Sequence, residues 1–407
     1  MSVKELLKAH GAPPREIYFD LENSGFVPPD VLSAMIPYYN KRGYGNPAIT
    51  HKPGWEAYEL FYETKELLAK IINSKPEEII FTHSGTEANN LAILGFLLAH
   101  RKKKRKIVTS IIEHGSVLFT ANFAQSHFGN KVQLLPVDEK GFVDSEIFSS
   151  FIDKDTVLVS IQMVNQEIGT IQNIKELVQI AKDINPDIVF HTDAADAFGK
   201  IKIDVKNLGI DMLTISSHKI LGPKGVGALF VREGIKLEPI IRGQISAEKL
   251  WPGAENIPAI AGFKKAIELT FDNFESNIKY VKKLRDKLMY GLLNSVPYTI
   301  LNGPEGDKRV CDNVNISFLY VEGEAITIEL SMKGIYVSSG SACTSRYLEP
   351  SAVLLAIGRR HEEAHGSILF KLCRYHSEED IDYALEKIPQ SIGRLRKISS
   401  WKPGENK

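Results

Sequence analysis

Seven short apolar runs, at residues 78–82, 107–112, 132–135, 156–162, 187–191, 212–215 and 227–231, alternate with stretches of helical period. Runs this short, bounded by turn residues, read as buried strands rather than helices. Repeated strand–helix units impose right-handed crossovers, so the pattern predicts an α/β fold with a mostly parallel seven-stranded sheet covered on both faces. Open sheets of this kind bind ligands just beyond the carboxyl ends of their strands. Beyond about residue 260 the order changes. Amphipathic helices at 259–271 and 278–296 lead into strands near 298–301, 313–319 and 335–338, then a last helix at 378–398, which predicts a smaller α+β domain. The expected division is an N-terminal segment 1–16, a large domain 17–260 and a C-terminal domain 261–407.

Charge and cysteine usage narrow the function classes. Lys plus Arg equals Asp plus Glu, at 50 each in 407 residues, so no net field draws nucleic acid or an acidic membrane. The single charge run, RKKKRK at 101–106, could meet phosphates but sits where a solvated helix end is expected. Three cysteines, Cys311, Cys343 and Cys373, are too few and odd in number for a disulfide framework, which favours a reducing compartment. The N-terminus shows no apolar leader and no run of about 18 apolar residues occurs, so a soluble cytoplasmic protein is expected.

The densest chemistry lies at residues 214–226, TISSHKILGPKGV, where Lys219 follows a strand and precedes Gly222 and Gly225. A lysine among hydroxyls and an imidazole suits a Schiff base with an aldehyde cofactor. Other strand ends add candidates. Ser84-Gly85-Thr86 opens a helix, where backbone N–H groups and a hydroxyl could cradle a phosphate, or where Ser84 and Thr86 simply cap. His114, Asn165-Gln166-Glu167 and Asp193 follow three further strands. An aspartate there can pair with a protonated pyridine nitrogen, and a histidine can move protons near neutrality. No metal is expected.

The ordered set SGTEANN, EH, NQEIGT, HTDAA, SSHKILGPKGVGALF, PGAEN and SSGSACTS resembles the cysteine desulfurases of the class-V aminotransferase group, fold type I, over nearly the whole chain. The resemblance implies that Lys219 carries pyridoxal 5'-phosphate, that Asp193 holds its ring nitrogen and that His114 stacks on the ring. It implies that Thr86, Ser216 and His218, with the Gly85 backbone, hold the phosphate, and that Gln166 and Asp196 lie beside the cofactor. Cys343, in a run of small and hydroxyl residues, would take sulfur from L-cysteine as a persulfide and release alanine. Cys311 and Cys373 are assigned to packing. A homodimer is implied, with sulfur passed to an acceptor such as an iron–sulfur scaffold protein.

Several positions depart from the family pattern. Leu369 stands where the family has an arginine for the substrate carboxylate. Lys371, two residues on and about 6–7 Å along the same face, is the expected replacement. The loop after the first strand is rebuilt as Leu21-Glu22-Asn23-Ser24-Gly25-Phe26, which makes Asn23 the second substrate-binding candidate. Asp196 replaces a glutamine, Ala254 a threonine and Trp251 an arginine. Transamination, selenocysteine lysis or β-elimination on the same cofactor, or a non-enzymatic docking role, are the alternatives.

Overall fold

The computed structural model describes residues 13–100, 106–339 and 350–400. After β1 (Ile17–Tyr18), the strands β2 (Ile79–Thr82), β3 (Lys106–Ser110), β4 (Lys131–Leu135), β5 (Thr156–Ser160), β6 (Val189–Asp193), β7 (Met212–Ser216) and β8 (Gly227–Val231) build a seven-stranded sheet. Its order is β2-β8-β7-β6-β5-β3-β4. β7, β6, β5, β3 and β4 are mutually parallel, and β8 runs against both β7 and β2. The carboxyl ends of all strands except β8 therefore share one edge. All residues of β2, β3, β5, β6, β7 and β8 are buried, which is why these strands read as continuous apolar runs. The edge strand β4 buries only Leu135.

The C-terminal part is organised around an antiparallel sheet, β12-β13-β10-β9, made from β9 (Thr299–Leu301), β10 (Asn313–Phe318), β12 (Ser338–Ser339) and β13 (Ser367–Lys371). The helices Phe274–Ser295 and Glu378–Ile398 present matching stripes to it. Val281, Leu284, Leu288 and Leu292 face one way, and Ile381, Ala384, Ile388 and Ile392 meet them in a second core. Burial of each large aliphatic side chain there contributes about 1.5–3 kcal/mol.

Two boundaries differ from expectation. The helix Ile257–Phe271 buries Ile257, Ile260, Phe263 and Ile267 in the core of the large sheet, so the packing division falls near Asp272 rather than residue 260. Conversely, β1 pairs in parallel with β11 (Ile335–Tyr336), and Ile17 and Phe19 belong to the second core. The charge run also changes meaning at its last residue. Lys106 is buried, its ammonium donating to the Phe151 carbonyl at 2.7 Å and to Asp153 Oδ2 at 2.5 Å, while 101–105 lie outside the described residues. Among the described residues no helix is long and apolar enough to cross a membrane.

Gly227, at the start of β8, lets the chain before the Gly85 helix come close. A Cβ on residue 227 would stand 2.7 Å from the Ser84 carbonyl carbon and 3.0 Å from the Ile215 carbonyl oxygen, both backbone atoms that cannot swing aside. Gly227→Ala is therefore expected to cost about 1–3 kcal/mol through overpacking, read as a lower urea midpoint at unchanged slope; an unaltered midpoint would contradict this close approach.

Candidate active site

β7 delivers Ser216 to the sheet edge and passes into a 3₁₀ turn, Ser217–Ile220, that contains Lys219. The turn is closed tightly. Leu221 sits in the left-handed region at φ 65°, and the Gly222 N–H returns to the Ser217 carbonyl at 3.0 Å. A Cβ on residue 222 would lie 2.1 Å from Ser217 Oγ and 3.0 Å from the Ser217 carbonyl oxygen, so a larger residue would have to move the Ser217 side chain. A non-glycine residue at positive φ costs about 1–3 kcal/mol, and here the buried Leu221 side chain holds it.

Beside this turn begins the helix Gly85–Asn90, which continues as a π segment, Leu91–Gly95, into Phe96–Ala99. Ser84 is its cap, its hydroxyl accepting from the Glu87 N–H at 3.2 Å, and leaves Thr86 exposed in the first turn. Gly85 packs on Ser216, where a Cβ would come 3.2 Å from Ser216 Cβ. Ser216 Oγ lies 3.0 Å from His218 Nδ1. Burial, then the Lys219 charge, pushes His218 down to about 4, so its ring is neutral and offers one N–H donor.

On the other side of the edge Asp193 ends β6. Its carboxylate accepts from Asn89 Nδ2 at 2.7 Å and from the Ala195 N–H at 2.9 Å. Asn89 also donates to Ser116 Oγ at 2.8 Å, and Ser116 Oγ lies 2.7 Å from His114 Nδ1. Asp193, Asn89, Ser116 and His114 thus form one connected network. The sequence reading missed Asn89 and Ser116; a polar side chain set among small residues of a buried helix was the available signal for Asn89. Gln166 is half-buried after β5, and its carbonyl accepts from Asn313 Nδ2 at 3.3 Å.

Lys219 sits in a buried cluster of six charges. Its ammonium contacts Glu22 Oε1, the Glu22 carbonyl at 3.1 Å and Asp196 Oδ2 at 3.0 Å. Lys371 meets Asp196 Oδ1 at 2.8 Å, Glu22 Oε2 at 3.4 Å and Asp312 Oδ2 at 3.7 Å. Lys200 joins Asp312 at 2.8 Å and Asp196 at 3.3 Å. Three ammonium groups thus face three carboxylates. Burial alone would push the lysines down. Asp196 and Glu22 override it for Lys219, and Asp196, Asp312 and Glu22 do so more strongly for Lys371, so both are raised. Burial likewise opposes the charge on Asp196, but Lys219, Lys371 and Lys200 together hold it well below the usual carboxylate range. A cavity of about 70 Å³ opens against the cluster, lined in part by Leu21, His218, Lys219, Cys311, Lys371 and Cys373.

The two substrate-binding candidates, Asn23 and Lys371, lie in different surroundings. Asn23 is exposed and donates to Asp20 Oδ1 at 2.6 Å, while its neighbour Glu22 turns inward. Lys371 does stand at the site, but three carboxylates already occupy its ammonium. Asp196, expected beside the cofactor, is the hub of the cluster. Burial pushes the Cys311 thiol up to about 12 and the Cys373 thiol to about 11, in keeping with a packing role. Cys343 lies outside the described residues, between β12 and Ser351. Ser351 Oγ donates to Glu167 Oε2 at 2.5 Å. Among the described residues no cluster of three or more His, Cys, Asp or Glu side chains is set to hold a metal.

Glu113, next to His114, is fully enclosed. Burial pushes its carboxyl up to about 8, aided by the Asp193 charge and opposed by Ser110 Oγ at 2.5 Å and the Gln162 N–H at 2.9 Å. A carboxyl raised on folding stabilises fully below its ordinary value near 4.5 and loses that contribution as pH climbs through about 8. Glu113→Gln should remove a loss on the order of a few kcal/mol between pH 5 and 9. Melting curves at those two pH values test this, and parallel pH dependence in wild type and variant would refute it.

The Aminotransferase class-V family model matches residues 17–384. Cysteine desulfurase IscS 1 of Archaeoglobus fulgidus is 44% identical over 382 residues, 94% of this chain and 98% of that protein. Among solved structures, a NifS-like protein superposes with a TM-score of 0.87 at 35% identity, covering 94% of this chain and 100% of its own. SspA in complex with cysteine superposes at 0.77 with 32% identity, covering 88% and 99%. With Lys219, Asp193 and His114 gathered at one sheet edge, these likenesses place the chain in the class-V aminotransferase family, as a cysteine desulfurase dependent on pyridoxal phosphate.

Proposed function

We propose that the chain takes sulfur from L-cysteine onto Cys343 and passes it to an acceptor protein, such as an iron–sulfur scaffold, in the cytoplasm. The observation that carries this reading is the convergence of Lys219, the Asp193 network and the Gly85–Ser216 contact on one edge. The residues present fit pyridoxal phosphate. The close approach of Gly85 to Ser216, with Ser216 Oγ 3.0 Å from His218 Nδ1, supports a phosphate site in which the Gly85 backbone, the Thr86 and Ser216 hydroxyls and the neutral His218 ring would be the donors. Asp193, fixed through both oxygens, is an acceptor for a ring N–H. Gln166 and Asp196 flank the same edge.

When bound, the cofactor supplies an electron sink for charge developing at the substrate's α-carbon. Lys219 would hold the cofactor, and its Nζ, when free, would take the α-proton of the substrate. His114, kept in place by Ser116, would lie against the cofactor and could accept the Cys343 proton. The Cys343 thiolate attacks the substrate sulfur and the carbon–sulfur bond breaks, its electron pair staying with the β-carbon, which takes the proton held by His114; with the α-proton returned from Lys219, alanine leaves and Cys343 keeps a persulfide. The complex of SspA with cysteine supports cysteine as the ligand. A homodimer is the assembly the resemblance implies, and Ile36, Tyr39, Tyr44, Ile49 and Trp55 are exposed apolar side chains available to such an interface.

Cys343→Ser is expected to lower alanine release from L-cysteine at least about a hundredfold while the visible cofactor band persists. Lys219→Ala should abolish that band. Alanine release undiminished in Cys343→Ser would exclude the persulfide route and return transamination or β-elimination to consideration.

A further inference from the structure

Glu22 and Asp196 have no part in the chemistry above, yet they make the closest contacts to its central nitrogen. Lys219 Nζ is met by Glu22 Oε1, the Glu22 carbonyl at 3.1 Å and Asp196 Oδ2 at 3.0 Å. A primary ammonium has three N–H donors; two hydrogen bonds go to Glu22, and Asp196 Oδ2 stands in ion-pair contact. Capacity remains beyond that, because Glu22 Oε2 is buried with no hydrogen-bond partner, the Lys371 ammonium standing 3.4 Å away.

Consider these oxygens once the Lys219 nitrogen is bonded to the cofactor. It then brings at most one N–H, and buried carboxylate oxygens are left without donors, a costly state. The incoming amino acid carries the missing group, an ammonium with three donors. It must also lose a proton before its nitrogen can displace Lys219. A carboxylate in contact with that nitrogen meets both needs.

Resting on the desulfurase reading, we propose that the Glu22–Asp196 oxygens form a primary-ammonium site that holds whichever amine is not bonded to the cofactor. The substrate ammonium occupies it first and gives one proton to Glu22. As the substrate nitrogen forms its bond to the cofactor carbon it gives up a second proton, and the Lys219–carbon bond breaks. Lys219 receives both protons, the second from the substrate nitrogen and the first from Glu22, and moves into the vacated site as an ammonium. One amine and two protons are exchanged within the site, and no other reactant is needed.

The test uses the full chain loaded with pyridoxal phosphate and two probes. L-Alanine, the desulfurated product, reports the amine through the visible cofactor band. 3-Mercaptopropionate, which keeps the thiol and carboxylate but lacks the amine, is followed by calorimetry. In Glu22→Gln the dissociation constant for L-alanine should rise about tenfold or more, the scale of a lost charged hydrogen bond. Glu22→Asp should recover part of that loss, and 3-mercaptopropionate should bind all three proteins within about twofold of one another. Asp196→Asn carries the same expectation should Glu22→Gln fail to fold. L-Alanine binding unchanged in both variants, or an equal loss for both probes, overturns the ammonium site and leaves the acids as scaffolding. A wild type that takes up no cofactor, or whose band ignores L-alanine, overturns the desulfurase reading itself and this site with it.

Discussion

The buried six-charge cluster is the contact on which both the fold's seam and its candidate chemistry depend. Glu22 comes from the chain just after β1, Asp312 and Lys371 from the second sheet, and Asp196, Lys200 and Lys219 from the edge of the first. Taking each ion out of water costs several kcal/mol, and attraction repays it only where every charge finds partners. Here the count balances at three against three, so the cluster tolerates burial. Removing any one member would leave an uncompensated charge, typically a loss of 3–5 kcal/mol. The two halves of the molecule are thereby registered against each other at the same place where Lys219 must be positioned.

The route by which Glu22 reaches this cluster explains why β1 belongs to the far core. The Phe19 N–H donates to the Tyr336 carbonyl, and the Phe19 carbonyl accepts from the Lys371 N–H, both at 2.8 Å. β1 is therefore continuous with the C-terminal strands, and Phe19 packs edge-on against Phe370. From that anchor the chain needs only three residues to carry Glu22 across to Lys219. The Tyr18 hydroxyl donates to the Ser24 carbonyl at 2.7 Å and pins the far side of the turn.

Local patterns carried much of this into view before any coordinates. Strands buried on both faces are continuously apolar, so six of them, with the short run of the edge strand β4 beside them, could be read from hydrophobicity, and their parallel order put Lys219, Asp193 and His114 at one edge. What escaped was non-local. Glu22 looks like one more polar loop residue beside Asn23, and nothing in the sequence tells which of the two turns inward. Strand alternation puts Lys371 on the same face as Leu369, but the partners of its ammonium lie 59 to 349 positions away in the chain. The helix at 257–271 carries a stripe that either core could have accepted. Lys106 reads as part of a solvated run because Asp153, its partner, is remote in sequence.

The cluster also changes how this site must recognise an amino acid. In the family pattern an arginine meets the substrate carboxylate, and Leu369, buried opposite Asn315 and Ser338, offers no charge in its place. Lys371 is the nearest substitute, yet Asp196 at 2.8 Å and Glu22 at 3.4 Å already share its ammonium. A carboxylate arriving there would have to displace one of these acids and would stand close to the other, against repulsion that burial strengthens. An ammonium arriving at the same place meets Glu22 and Asp196 as acceptors. Charge alone therefore weights recognition in this chain toward the amine end of the substrate, the reverse of a site built around an arginine.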